Sequence, residues 1–183
     1  ALPIWQRTKN VYLELEDGRV LSYGDASNYR LMREPNKYDI DYGDYDPFPD
    51  FVPAGDQKLV GNNSDYFNNV KSFNLLGRNY VAILDNNGYV FGNSNVEGLD
   101  LRGSGHKPII ISAGEQEGDY WNVDQLAEGY QSLIGLDIIE EKNGEVIKSD
   151  VYTMGSNSAY QLGIGESSNR SSPVKVDFPE GVV

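Results

Sequence analysis

The stretch Val151-Tyr-Thr-Met-Gly-Ser-Asn-Ser-Ala-Tyr-Gln-Leu-Gly-Ile-Gly-Glu-Ser-Ser-Asn-Arg-Ser-Ser-Pro-Val-Lys-Val176 decides how the rest of the chain is read. A short β-like run ends at Gly155, and a polar turn leads to Gln161-Leu162-Gly163-Ile164-Gly165. After a Ser/Asn loop, Pro173 opens another alternating run. Runs of this length bounded by Gly, Asn and Ser read as short strands joined by turns. Working outward, strand-ending glycines recur at Gly92 and Gly24, 63 and 68 residues apart. Spacing on that scale is the mark of a repeat architecture.

Each glycine is preceded by a hairpin pattern. Val11, Leu13 and Leu15 alternate with Tyr12, Glu14 and Glu16, the period of two expected of a half-buried strand. Asp17-Gly18 predicts a two-residue turn, and Arg19 to Tyr23 is the return strand. In the second pass Val70 to Leu76 and Tyr80 to Leu84 are strand-like, Asp85-Asn86-Asn87-Gly88 turns, and Tyr89-Val90-Phe91 leads to Gly92. Lys107-Pro108-Ile109-Ile110-Ile111 reads as the strand after a proline. The third pass runs from Asp124 through Tyr130 to Leu136, over a lengthened hairpin at Asn143-Gly144, to Gly155.

These features resemble the repeat of the regulator of chromosome condensation family. That repeat runs as a Gly-anchored strand, an Asp/Asn-Gly hairpin, an aromatic-x-aromatic-Gly strand, an Asn-x-x-Gly-Gln-Leu-Gly turn and a Pro-initiated strand. The match is best over residues 129–176, at Gly129, Asn143-Gly144, Tyr152 to Gly155, Asn157, Gln161-Leu162-Gly163, Gly165, Asn169-Arg170 and Pro173-Val174. The second copy keeps Gly77, Asn87-Gly88, Val90 to Gly92, Asn95, Gly98-Leu99 and Pro108; the first keeps Asp17-Gly18, Val20, Tyr23-Gly24, Asn28 and Leu31. Tyr160 stands where the signature has its first glycine, and Asn79 and Gln131 stand where the family often has His. The resemblance implies an all-β fold, a β-propeller segment of about three blades over residues 8–50, 70–112 and 124–178. Propeller sheets bury their faces only against neighbouring sheets. Three are too few to close a ring, so the expectation is a larger propeller or one completed by another chain.

Composition agrees with a folded β protein: 183 residues, 39% hydrophobic, 20 glycines and 13 tyrosines. There are no cysteines, which excludes disulfides, thiolate metal sites and a thiol nucleophile within the chain. A formal charge of −13 argues against nucleic acid or anionic membrane as partner; it suits a basic protein surface or divalent cations, and reads first as charge that keeps the protein in solution. No run of apolar residues is long enough for a membrane helix. The chain opens on Ala1 rather than Met with no leader, so a trimmed or processed N-terminus is expected and the compartment is unknown.

Residues 33–69 read mostly as connection. Tyr38-Asp-Ile-Asp-Tyr-Gly-Asp-Tyr-Asp-Pro-Phe-Pro-Asp50 interleaves carboxylates with aromatics and prolines. Asp39 and Asp41 would share a face of an extended segment and suit Ca²⁺, but the spacing is not that of an EF-hand loop. The same residues read equally as a solvated loop or a partner contact, since exposed aromatics anchor interfaces. The expected contact surface is Tyr38, Tyr42, Asp44, Tyr45 and Phe48, with Tyr120 and Trp121 from a second acidic loop.

No enzyme signature emerges. His106, the one histidine, lies in Gly103-Ser-Gly-His-Lys-Pro108 without a nucleophile elbow. Gly163-Ile-Gly165 is too short for a dinucleotide loop, and Glu140-Glu141 sits at a hairpin tip. Asn62-Asn63-Ser64 and Asn169-Arg170-Ser171 fit the glycosylation tripeptide. The function expected is protein recognition through a propeller face, with no catalytic residues, metal or cofactor. The family resemblance adds guanine-nucleotide exchange on a small GTPase as an alternative, and the acidic loops add a Ca²⁺-holding adhesin.

Overall fold

The computed structural model describes residues 4–7, 9–27, 30–35, 45–76, 80–93, 106–114 and 116–179. They form three four-stranded antiparallel sheets taken in chain order. The first holds β1 (Ile4–Arg7), β2 (Asn10–Glu14), β3 (Val20–Asp25) and β4 (Tyr45–Phe51). The second holds β5 (Val70–Leu76), β6 (Tyr80–Asp85), β7 (Val90–Gly92) and β8 (Ile109–Ile110). The third holds β9 (Gln125–Gly129), β10 (Ser132–Lys142), β11 (Glu145–Gly155) and β12 (Arg170–Lys175). A short 3₁₀ helix, Gly55–Val60, lies between the first two sheets in sequence.

The middle sheet is packed on both faces. Every residue of β6 is buried, and its alternation splits them between two cores. Val81 and Ile83 join Tyr12, Val20, Met32, Phe67, Phe73 and Phe91 on the side of the first sheet. Tyr80, Ala82 and Leu84 join Trp121, Val123, Leu133 and Met154 on the side of the third. Tyr12 stacks on Phe73 with centroids 4.9 Å apart, and Phe67 meets Phe91 edge-on at 5.1 Å. Offset and edge-on rings of this kind add to area burial.

The sheet faces revise the reading of the first strand. Tyr12 is fully buried, whereas Val11 and Leu13 are only half-buried on the opposite face. There they pair with Tyr23 and Leu21, with exposed Ile4 opposite Leu13. The far face of the third sheet is built likewise: exposed Ile134 pairs with Thr153, Leu136 with Val151 and Thr153 with Val174. Both end sheets therefore carry an apolar outer face, the sequence signature of a sheet made to be covered on two sides.

Two local readings change. The Asp17-Gly18 and Asn87-Gly88 hairpins are three-residue loops, with Gly18 and Gly88 at φ +81° and +86°. Gly18 N donates to Leu15 O and Leu15 N to Arg19 O, and Asp85 repeats that pattern with Gly88 and Tyr89. This is a type I turn followed by a left-handed residue. Of the three Asx-Gly hairpins, Asn143-Gly144, at φ +54° and +81°, is the one that makes a two-residue turn. Within the expected connection 33–69 lies β4, an edge strand despite Pro47 and Pro49. An edge tolerates proline because the missing N–H would have pointed outward.

Candidate functional site

The expected contact residues that are described lie in two places, Tyr45 and Phe48 on β4 and Tyr120 and Trp121 before β9. Tyr38, Tyr42 and Asp44, together with Asp39 and Asp41 of the Ca²⁺ reading, lie outside the described residues. So do Asn28, Gly77, Asn79, Asn95, Gly98 and Leu99 of the repeat and Gly103 to Gly105 before His106. Tyr45 pairs with Asp25 at the end of the first sheet where β3 leaves and β4 enters. Its hydroxyl accepts a hydrogen bond from the Lys9 ammonium, which also sits 4.9 Å from the ring centroid. That hydrogen bond raises the Lys9 pKa above its ordinary value. Farther along β4, Phe48 is 53% exposed between exposed Pro47 and Pro49.

Tyr120 and Trp121 lie at the other end of the sheets. Trp121 O accepts from Val90 N, Val123 N donates to Gly88 O, and Asn122 bridges Tyr89, all beside the Asp85–Tyr89 hairpin. Tyr120 is half-buried. Trp121 is 3% exposed, so its expected role as a surface contact is corrected: it is a core residue. The reason is the absence of a side chain at Gly135, where a Cβ would come within 2.6 Å of the Trp121 ring.

Behind β4 sits a buried ion pair that the sequence reading did not find. Arg33 donates to Asp46 Oδ2 at 2.8 Å, and both side chains are nearly inaccessible, 3% and 0% exposed. The guanidinium also donates to Ser22 O (2.7 Å), Phe48 O (2.9 Å) and Glu34 O (2.8 Å). The backbone that carries Phe48 is thus held by a charge itself held in place. Arg30 and Asp25 form a second, half-buried pair at 2.6 Å. His106 Nδ1 lies 3.4 Å from Arg33 O and 3.5 Å from the Glu34 carboxylate, joining the second sheet's edge to the same corner.

The third sheet presents Tyr130 and Tyr160, 73% and 64% exposed, from neighbouring turns linked by Ser156 N donating to Gln131 O. Its hairpin extends past its neighbours: β9 pairs with β10 only to Leu136, and exposed Ile139, Val146 and Ile147 lie beyond. Glu140 and Glu141 belong to this arm, Glu140 opposite Lys148. At its base, burial and the charges of Asp124 and Asp150 push the Asp137 carboxyl up. Among the described residues no group of three His, Asp or Glu side chains is placed to hold a metal. No described helix is long and apolar enough to cross a membrane.

Asn62 of the first glycosylation tripeptide is occupied structurally: its amide donates to Gln57 Oε1 (2.5 Å) and Tyr66 O (3.2 Å), and its Oδ1 accepts from Ser64 N (2.8 Å). Asn169 Oδ1 likewise accepts from Asn157 N at 2.8 Å.

Comparison with known proteins places this geometry. Residues 148–183 match the model of the regulator of chromosome condensation (RCC1) repeat. No curated protein matches the chain in sequence. Human WBSCR16 superposes with a TM-score of 0.60 at 16% identity, over 97% of this chain and 40% of that one. Yeast RCC1 (Prp20), solved bound to Kap60, gives 0.59 at 17% identity, over 99% and 36%. Prp20p from Saccharomyces cerevisiae, described with its binding properties to Gsp1p and histones, gives 0.54 at 12%, over 98% and 39%. The chain thus spans well under half the length of the structures it matches. It is an all-β chain of β-propeller blades of the regulator of chromosome condensation kind, with a repeat of that family at residues 148–183.

Proposed function

We propose that the chain is a protein-recognition module that contacts its partner through Tyr38, Tyr42, Asp44, Tyr45 and Phe48. One observation carries the reading: Phe48 stands exposed between two prolines on an edge strand whose backbone a buried Arg33–Asp46 pair immobilises. An aromatic on a rigid support binds with little loss of side-chain entropy. The charge of −13 selects a basic partner. Tyr120, at the opposite end, belongs to a separate contact.

Core histones are the first probe, because they are basic and because a propeller of this fold is described as binding them. The expected result is saturable binding that weakens with salt and at least tenfold in the triple variant Tyr42→Ala, Tyr45→Ala, Phe48→Ala. Equal affinity for lysozyme, a basic protein of unrelated shape, or no effect of the triple variant would sink the reading.

A second reading is nucleotide exchange on a small GTPase, favoured by the likeness to the propeller described with Gsp1p. Its acidic loops would compete with phosphate for Mg²⁺ and for the phosphate-binding lysine. Release of labelled GDP from a panel of GTPases separates the two, since a binding module alone accelerates none.

The apolar outer faces of the first and third sheets take further blades, from a longer chain or a second copy. Light scattering on this chain reads the second copy directly. A folded dimer that Leu13→Asp with Ile134→Asp converts to monomer supports it; a folded monomer removes it.

A further inference from the structure

Between the 3₁₀ helix, the loop that leads into β5 and the β6–β7 turn lies a pocket of about 280 Å³ that the recognition reading does not use. Its lining includes Gln57, Asn62, Asn63, Asn68, Asn69 and Asn87. Six Asn and Gln residues line one opening, with no charged residue among its lining, an unusual concentration in a chain with 43 charged residues out of 183. We propose that this pocket binds a single neutral saccharide ring through the carboxamides of Asn63 and Asn68.

The pocket is rigid. Gln57 is 2% exposed and forms the floor. Its Nε2 donates to Asn68 O at 2.7 Å, and its Oε1 accepts from Asn62 Nδ2 at 2.5 Å and Asn68 N at 3.2 Å. Asn69 adopts a left-handed backbone, φ +62°, fixed by Asn86, which donates from its backbone N to Asn69 O (2.9 Å) and from its amide to Asn69 Oδ1 (3.0 Å). On the opposite wall, Asn87 O accepts from Asn122 Nδ2 at 2.9 Å and Asn87 N donates to the buried Asp85 carboxylate at 3.0 Å. The walls are therefore set before any ligand arrives.

Among the described residues no hydrogen bond is made by the side-chain amides of Asn63 and Asn68, both of which line the opening, so the acceptor and two donors of each remain for a ligand. A carboxamide presents donor and acceptor side by side, which complements adjacent hydroxyls that each donate and accept. An anion would find acceptors facing it and a strongly negative chain around it. A peptide strand would need an open sheet edge, whereas this lining comes from a 3₁₀ helix, a loop and a turn. The volume is near the lower end of ligand pockets, on the order of 300 Å³, which suits one ring and not an oligosaccharide.

The test is a ¹H–¹⁵N titration of the chain with methyl α-mannopyranoside, methyl β-glucopyranoside and N-acetylglucosamine, each to high millimolar concentration. At least one is expected to give saturable shifts confined to residues 57–69 and 87, and Asn63→Ala with Asn68→Ala should weaken it at least tenfold at unchanged melting temperature. Should the double variant melt early, the single change Asn63→Ala, at an exposed loop position, is expected to weaken binding several-fold alone. No saturation by any of the three sugars, shifts scattered over the chain, wild-type affinity in the variants, or equal saturation by N-methylacetamide overturns the proposal.

Discussion

The first and third sheets build the same corner with different chemistry. In both, the strand before the corner glycine bulges, between Ser22 and Gly24 and between Thr153 and Gly155, and the glycines match at φ +110° and +113°. In both, a hydroxyl donates to a leucine carbonyl nine residues on: Ser22 to Leu31 O at 2.8 Å and Thr153 to Leu162 O at 2.9 Å. The next residue, Met32 or Gly163, is left-handed in each, φ +54° and +70°. What then locks the loop differs. The third sheet uses the neutral, fully buried Asn157, whose amide donates to Glu166 O (2.6 Å) and Ser168 O (3.1 Å) and whose Oδ1 accepts from Leu162 N (2.9 Å). The first uses the Arg33–Asp46 pair. A repeat fixes the backbone and leaves open how its buried polar groups are satisfied.

Breaking the charged lock should have the larger effect. Asp46→Ala leaves the Arg33 guanidinium buried and unpaired, and removing one partner of such a pair destabilises by about 4 kcal/mol. Chemical denaturation of variant and wild type measures it; a loss near zero would mean that Arg33 escapes to solvent. Asn157→Ala removes an amide with three hydrogen bonds but leaves no charge behind. With the carbonyls and Leu162 N–H orphaned, the expected loss is about 3 kcal/mol. If Asn157→Ala proved the more damaging, the contrast between the corners would be reversed.

How much of this was legible follows from which signals are local. Turn glycines announce themselves, because Gly24 cannot carry a Cβ: one would lie 2.0 Å from Lys9 O. The strands, the hairpins and the repeat were therefore readable. The lengths of two hairpin loops were not, since Asp17 Oδ1 accepting from Arg19 N and Asp85 Oδ1 accepting from Asn87 N and Tyr89 N select the three-residue form. Which face of a strand is inside was also hidden, because sheets packed on both sides make both faces apolar. Tyr12 and Trp121 are buried by neighbours distant in sequence. The carboxamide pocket gathers residues 57 to 87, and only the density of asparagine there could have hinted at it.

Asp85 sharpens the comparison as a buried carboxylate that forms no ion pair among the described residues. Desolvation raises its pKa, only partly offset by N–H groups of Tyr89 and Asn87 and by Gln57. Because the folded state holds the proton more tightly than the unfolded, this residue's contribution becomes less favourable as pH rises from the ordinary carboxylate value, about 4, through the folded value, and is level above it. Asp85→Asn removes that dependence. Relative to wild type the variant should gain stability between about pH 4 and neutrality, with a neutral-pH difference within about 1 kcal/mol. Parallel stability curves for the two proteins would show that the carboxylate is not desolvated.

The smallest effect bears on the signature itself. Tyr160, where the repeat has its first glycine, is left-handed at φ +59° and 64% exposed, so its ring gains little from packing while its Cβ crowds the backbone. The corner therefore demands a conformation that the sequence does not supply cheaply, which is why glycine recurs at that place in the repeat. Tyr160→Gly should relieve the crowding and lose some of the gain to the greater freedom of an unfolded glycine, a net stabilisation of roughly 0.5 kcal/mol. A modest rise in melting temperature would carry this. A fall would mean that the ring contributes something the corner needs, and would move Tyr160, with Tyr130 beside it, from a tolerated departure to a selected surface feature.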